Sequence, residues 1–88
     1  MGISSDELLA ILDELGAAEV KRFQWYLNKG VLEGFPSIPK GRLEDKDRTD
    51  IVDTMVQAYN MDGAVTITVE ILKKMNQNSL AGKLQENL

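Results

Sequence analysis

The chain has 88 residues, enough for one compact domain and too few for two, so we expect residues 1–88 to form a single domain. Its 43% of hydrophobic and 27% of charged residues are typical of a folded globular protein. Cysteine and histidine are absent, which excludes disulfides, thiolate nucleophiles and the metal sites and general bases built on these residues. We therefore expect no catalytic residue, no metal and no other cofactor.

The N-terminal segment has neither the positive start of a signal peptide nor the length of a membrane span, because Asp13 and Glu14 interrupt its apolar run. The expected location is the cytoplasm, with no membrane contact. The net charge of -4 argues against a binder of nucleic-acid backbones, which is typically basic.

A first helix is predicted at residues 5–15. Ser4 and Glu7 have the spacing of a capping box, and Ile3 before the cap is placed to form a hydrophobic staple with the first leucine. Gly16 is a residue able to end the helix in a left-handed conformation. The apolar stripe has helical spacing and consists of Leu8, Leu12 and Leu15.

A second helix follows almost at once and is predicted to stop at Gly30. Its apolar face is formed by Val20, Phe23 and Leu27. From Gly30 to Gly41 the chain has too many glycines and prolines for a helix, so a long loop is expected, with a short turn at residues 42–44. The loop should lie against the bundle because it carries apolar residues.

Asp47 is placed to cap a third long helix at residues 48–59, and residues 60–63, "NMDG", are predicted to form a turn. Residues 65–69, "VTITV", are β-branched and alternate as a strand does. A lone strand would leave its backbone groups unpaired, whereas the neighbouring apolar residues also share one helical face. The helix is therefore the preferred interpretation.

Asn78 is placed to cap a short last helix with its apolar residues at Leu80, Leu84 and Leu88. The count is five or six short helices in one antiparallel bundle, which makes the chain all-α.

Charge is segregated along the chain. Residues 1–20 carry five acidic residues and no basic one, residues 21–42 carry five basic residues against Glu33, and residues 43–72 carry seven acidic residues against two basic ones. A bipolar domain of this kind is complementary to copies of itself. Charged helix residues are, however, more often simply the solvated face, and exposed pairs contribute only about 0–1 kcal/mol each. Trp25 is a natural contact anchor if it is exposed.

These residues resemble the pyrin domain, the N-terminal interaction module of inflammasome sensors and adaptors. The resemblance covers nearly the whole chain and rests on four segments in the expected order: "LLAILDELGAAEVKRFQWYL", "IPKGRLE", "DRTDIVDTMVQAY" and "AVTITVEILKKMNQNSLAGKL". It implies a six-helix antiparallel death-fold bundle with a long loop between helices two and three and a short third helix. It also implies that the domain is the N-terminal module of a larger protein.

The resemblance further implies homotypic association between an acidic face on helices one and four and a basic face on helices two and three. The acidic face comprises Asp6, Asp13 and Asp47, extended by Asp50 and Asp53. The basic face comprises Lys21 and Lys40, extended by Arg22 and Arg42. Tyr26 stands where adaptor-like members carry a lysine.

The expected partners are pyrin domains of the same chain and of an inflammasome adaptor, with growth into oligomers or filaments when copies are clustered. One alternative is a monomeric pyrin-like domain that inhibits or regulates such assembly. Another is an ordinary helical bundle that binds nucleic acid or membrane through the basic residues between Lys21 and Arg42.

Overall fold

A computed structural model describes residues 4–86, and Ile3 of the predicted staple and Leu88 of the predicted last helix lie outside them. The described elements are α1 (Ser5–Asp13), α2 (Ala17–Lys29), a 3₁₀ helix (Lys40–Arg42), α3 (Arg48–Lys74) and α4 (Asn78–Glu86). Within residues 4–86 there is no strand, so residues 65–69 are helical as preferred.

The fold is all-helical, but the count of six helices is not confirmed. The predicted fourth and fifth helices run together as α3, which is broken only at Asn60, where φ is 63° and ψ is 174°. The predicted turn at residues 60–63 therefore shrinks to one non-helical residue, since residues 61–63 are already helical. The third helix is the 3₁₀ helix, which begins two residues before the predicted turn at 42–44.

α3 lies at the centre of the bundle and packs against α1, α2 and α4. Apolar side chains from all four α-helices and from the loop after α2 meet in one core. The largest fully buried side chains include Phe23, Leu8, Leu12, Leu27, Ile38, Ile51, Met55, Ile67 and Leu72. Burial of Ile38 confirms that the long loop lies against the bundle, as its apolar residues predicted.

Two of the predicted helix signals are wrong in detail. Ser4 is the N-cap of α1, but its side chain makes no capping hydrogen bond, and the N–H groups of Glu7 and Leu8 use its carbonyl oxygen instead. Gly16 has a φ of -75° and does not end α1 in a left-handed conformation. It is the N-cap of α2, where its N–H donates to Glu19 Oε1 at 2.8 Å.

The C-terminal end of α2 and both ends of α3 follow their local sequence. Gly30 ends α2 with a φ of 87°, a conformation that glycine adopts at little cost. Asp47 caps α3, because its Oδ1 accepts from the N–H of Asp50 at 2.9 Å. Asn76 ends α3 with a φ of 63°. The N–H of Gln77 then reaches back to the Leu72 carbonyl oxygen at 2.8 Å, as in a Schellman motif. α4 begins at Asn78 itself, one residue earlier than a cap at that position would place it.

Candidate functional site

All nine residues predicted to form the two charged faces are exposed to solvent. They are Asp6, Asp13, Asp47, Asp50 and Asp53 on the acidic side and Lys21, Arg22, Lys40 and Arg42 on the basic side. Asp6 and Asp13 lie on α1, and the other three aspartates lie at or near the start of α3. Lys21 and Arg22 lie on α2, whereas Lys40 and Arg42 lie on the 3₁₀ helix.

The basic residues of the loop are brought to α2 by two side-chain amides. Gln24 Nε2 donates to the Leu43 carbonyl oxygen at 2.9 Å, and Asn28 Nδ2 donates to the Ile38 carbonyl oxygen at 3.0 Å. Both donors project from α2 and hold the chain on either side of the 3₁₀ helix. This attachment explains how a segment rich in glycine and proline keeps a defined position on the bundle.

As a result, Lys21 and Lys40 line one cleft of about 360 Å³ between α2 and the 3₁₀ helix. Trp25 and Leu43 line the same cleft. The predicted Lys21–Lys40 grouping is therefore a spatial one, although the two residues lie far apart in sequence. Arg22 and Arg42 are not among the residues that line this cleft.

Trp25 lies beside the lysines in an ordered aromatic arrangement. Its ring meets the Tyr26 ring edge-on with centroids 5.0 Å apart, and Lys29 Nζ lies 4.6 Å from the Trp25 ring centroid. The lysine is within the range of a cation–π interaction.

The acidic residues of α3 share the first turns of that helix. Asp47 and Asp50 are joined through the cap hydrogen bond, and Asp53 lies one turn further along the helix. Aspartates are favourable here because the N-terminal end of a helix carries partial positive charge. The acidic cluster therefore also serves the helix, whether or not it binds a partner.

Arg48 joins the two helices that carry the predicted acidic residues. Its Nε donates to the Leu12 carbonyl oxygen at 3.0 Å and its guanidinium also donates to the Leu15 carbonyl oxygen at 2.7 Å. These acceptors belong to the C-terminal end of α1, which attracts cations. Arg48 Nε also lies 3.9 Å from Asp13 Oδ1, so the guanidinium places a positive charge beside the acidic face.

Sequence reasoning missed Arg48, although a signal was present. An arginine in the first turn of a helix is unfavourable for that helix's dipole, and such a conflict indicates a tertiary partner. The roles of Gln24 and Asn28 had no comparable signal, because polar residues on a helix usually face water.

Two acidic residues of the N-terminal segment are engaged elsewhere. Glu14 Oε2 accepts from Lys83 Nζ at 2.9 Å, which ties the end of α1 to α4. Glu19 accepts from Gly16 and also from Gln77 Nε2, which ties the start of α2 to the chain between α3 and α4. Within the acidic segment at residues 1–20, Glu14 and Glu19 therefore make intramolecular contacts, whereas the aspartates stay exposed.

The loop after α2 is also held at the kink of α3. The Tyr59 hydroxyl donates to the Pro36 carbonyl oxygen, and the Phe35 and Tyr59 rings lie 5.5 Å apart. Burial raises the pKa of Tyr59 above its ordinary value of 10.0.

Within residues 4–86, no group of acidic side chains is arranged to hold a metal ion. No helix in this part of the chain is long and apolar enough to span a bilayer.

Comparisons with known proteins place these features in a family context. A family model described as the PAAD/DAPIN/Pyrin domain matches residues 7–82. Caspase b of Danio rerio is 49% identical over 78 residues, which cover 89% of this chain and 19% of caspase b. The apoptosis-associated speck-like protein containing a CARD of Bos taurus is 33% identical over 89 residues, which cover 100% of this chain and 46% of that protein.

The fold comparison agrees with the sequence comparison. The solution structure of the pyrin domain of human Pyrin matches with a TM-score of 0.80 and 28% identity, over 93% of this chain and 92% of that domain. The chain spans less than half the length of both curated relatives named above.

Proposed function

The chain belongs to the pyrin domain family, and on this premise we propose that it is a non-enzymatic, homotypic interaction module of inflammasome signalling. It binds pyrin domains of an adaptor and of further copies of itself by pairing its acidic face with their basic face. Such an adaptor carries a domain similar to this chain, as the speck-like relative of Bos taurus does. We place the domain in the cytoplasm. We also propose that it is one module of a larger protein, because caspase b is several times longer than the matched segment.

The observation that carries this proposal is the grouping of Lys21 and Lys40 around one cleft. Two lysines from distant parts of the sequence flank it, while the exposed aspartates lie on α1 and at the start of α3. Because the two faces are different patches, their contact is heterologous and repeats from copy to copy. Such a contact supports growth into a helical filament.

Two variants, each with a different one of the two faces inactivated, test the proposal. Lys21→Glu reverses a charge in the basic cleft, and Asp53→Lys reverses one on the acidic face. Asp53 suits this purpose better than Asp13, whose reversal would also repel Arg48. Lys73→Glu is a matched control, because it makes the same charge change at an exposed lysine outside both faces. The pair that it loses, with Glu70 three residues earlier on the same helix, contributes only about 0–1 kcal/mol.

We expect the wild type and Lys73→Glu to form filaments visible by negative-stain microscopy at low salt, and each face variant to stay monomeric. A mixture of Lys21→Glu and Asp53→Lys retains one intact acidic and one intact basic face. The mixture should form a complex of one copy each in analytical ultracentrifugation and grow no further. If Lys21→Glu assembles like the wild type while its helical circular dichroism is unchanged, the charge-pairing proposal is wrong.

A second candidate is a monomeric pyrin-like domain that blocks assembly of others. It is favoured by the Arg48 guanidinium beside Asp13, which weakens the acidic face, and by the neutral Tyr26 on α2. This function predicts a wild type that stays monomeric and shortens filaments of an adaptor pyrin domain. A wild type that instead seeds those filaments excludes it.

A further inference from the structure

The side chain of Trp25 is exposed on α2, whereas an apolar core residue would be buried. Within residues 4–86, it is the one large hydrophobic side chain that is exposed, with 55% of its surface open to solvent. Burying an aromatic ring of this size is strongly favourable, so its exposure on a helix that has a complete buried face calls for an explanation. Neither the core nor the loop attachment uses the open part of the ring.

The surroundings of Trp25 are those of an interface centre. Lys21 and Lys29 lie one helical turn before and after it on the same face of α2, and Lys40 lies across the cleft. The Tyr26 ring and Lys29 Nζ restrain the indole from within the same helix. A restrained aromatic side chain bordered by charged residues is the usual form of a residue that dominates binding energy.

We propose that Trp25 is the apolar anchor of the basic face and that it is buried against the acidic face of a second copy of this chain. This inference rests on the proposed function, because it names what holds the two charged faces together. The lysines set the orientation of the contact, and burial of the indole adds to its affinity.

Charge and apolar surface together indicate which partner covers Trp25. A partner must bring negative charge to Lys21 and Lys40, and the exposed aspartates of α1 and α3 do so. The same surface carries two partly buried apolar side chains next to those aspartates. Leu9 lies between Asp6 and Asp13 on α1, and Val56 follows Asp53 by one turn on α3. They provide an apolar area for an indole within an acidic border.

The single tryptophan of the chain makes the inference directly measurable. We expect wild-type emission to shift to shorter wavelength on assembly, with a loss of quenching by acrylamide, because the indole leaves water. Asp53→Lys retains Trp25 together with its neighbouring lysines and supplies the reference spectrum of the monomer.

Trp25→Ala leaves all the charged residues of both faces in place. It should raise the critical concentration for assembly by about 30-fold, the factor that corresponds to about 2 kcal/mol. Trp25→Phe should lie between Trp25→Ala and the wild type. The ratio of the critical concentrations of Trp25→Ala and the wild type should stay the same as salt is raised, because apolar burial is not screened as charge pairing is. Circular dichroism and the thermal midpoint of each variant show that the bundle is intact.

The possible results separate the anchor from the charged faces. If Lys21→Glu abolishes assembly but the emission and acrylamide quenching of the wild type do not change when it assembles, the anchor is wrong and the proposed function stands. Assembly that requires Trp25 but tolerates Lys21→Glu refutes the charge pairing and, with it, the acidic face as the surface that buries Trp25. A wild type that never self-associates, at any concentration reached, overturns the anchor and the self-association part of the proposed function.

Discussion

Replacing Gly63 by alanine should destabilise the domain, whereas the same replacement at Gly82 should stabilise it. Both glycines lie inside helices, Gly63 in α3 and Gly82 in α4. A Cβ atom at Gly63 would lie 2.9 Å from Tyr59 Cβ and 3.3 Å from Phe35 Cε2. A Cβ atom at Gly82 would meet nothing within 4 Å.

The magnitude follows from two opposed contributions. Alanine in place of glycine inside a helix gains about 1 kcal/mol, and at Gly82 this gain is unopposed. At Gly63 the nearest atom is the first carbon of a side chain, which cannot move away without moving α3 or the Tyr59 ring. Overpacking of this kind costs about 1–3 kcal/mol. The upper part of that range is expected here, so the net loss at Gly63 is about 1–2 kcal/mol.

Urea unfolding of the two variants beside the wild type measures both effects. Equal slopes against urea concentration would show that the midpoints can be compared directly. We expect the midpoint of Gly82→Ala to lie above that of the wild type and the midpoint of Gly63→Ala to lie below it. A stabilising Gly63→Ala would refute the close approach of the loop and α3 at the kink.

Three further perturbations test other contacts. Arg48→Met should lower the free energy of unfolding by about 1–3 kcal/mol, because two charge-assisted hydrogen bonds to α1 are lost, and Arg48→Lys should recover part of it in the same urea assay. Burial raises the pKa of Tyr59 in the folded protein, so the contribution of Tyr59 to stability should be complete below about pH 10 and be lost as the pH rises through the folded-state pKa. Tyr59→Phe should reduce this alkaline loss, as measured by thermal unfolding at several pH values, while costing about 1 kcal/mol at neutral pH. Asn60→Gly should stabilise by about 1 kcal/mol, because the strain of this backbone conformation, about 1–3 kcal/mol, exceeds the added entropy of glycine in the unfolded chain. An unchanged or lower melting temperature for Asn60→Gly would show that this backbone is not strained.

Most helix positions could be predicted because their signals are local. The leucine spacing of α1, the Asp47 cap of α3 and the Gly30 end of α2 depend on residues within one or two turns. The charge segregation was also readable in sequence, since it follows from counting. The predicted capping box failed because the Ser4 side chain makes no capping bond, although its carbonyl oxygen serves the first turn.

The arrangement of the candidate faces was only partly predictable. Lys21 and Lys40 were grouped through the resemblance to pyrin domains, and the structure brings them to one cleft through Gln24 and Asn28. The exposure of Trp25 was left open, although its spacing indicates it. Trp25 lies two residues from Phe23 and from Leu27, so it projects from the opposite side of α2 to the buried face. The link between Arg48 and the end of α1 crosses from one helix to another and has no local pattern beyond the dipole conflict.

The sequence by itself determined the helical class, the apolar stripes, the loop and the separation of charge, because these depend on neighbours in the chain. Tertiary structure decided that residues 65–69 are helical, that the break after residue 59 is limited to Asn60 and that Glu14 and Glu19 are tied to other elements. For the helix at residues 65–69 and for the two glutamates, the deciding contacts are with distant parts of the chain. A β-branched segment becomes a helix when its apolar side chains are buried in a helical bundle, since that burial outweighs the small difference in intrinsic propensity.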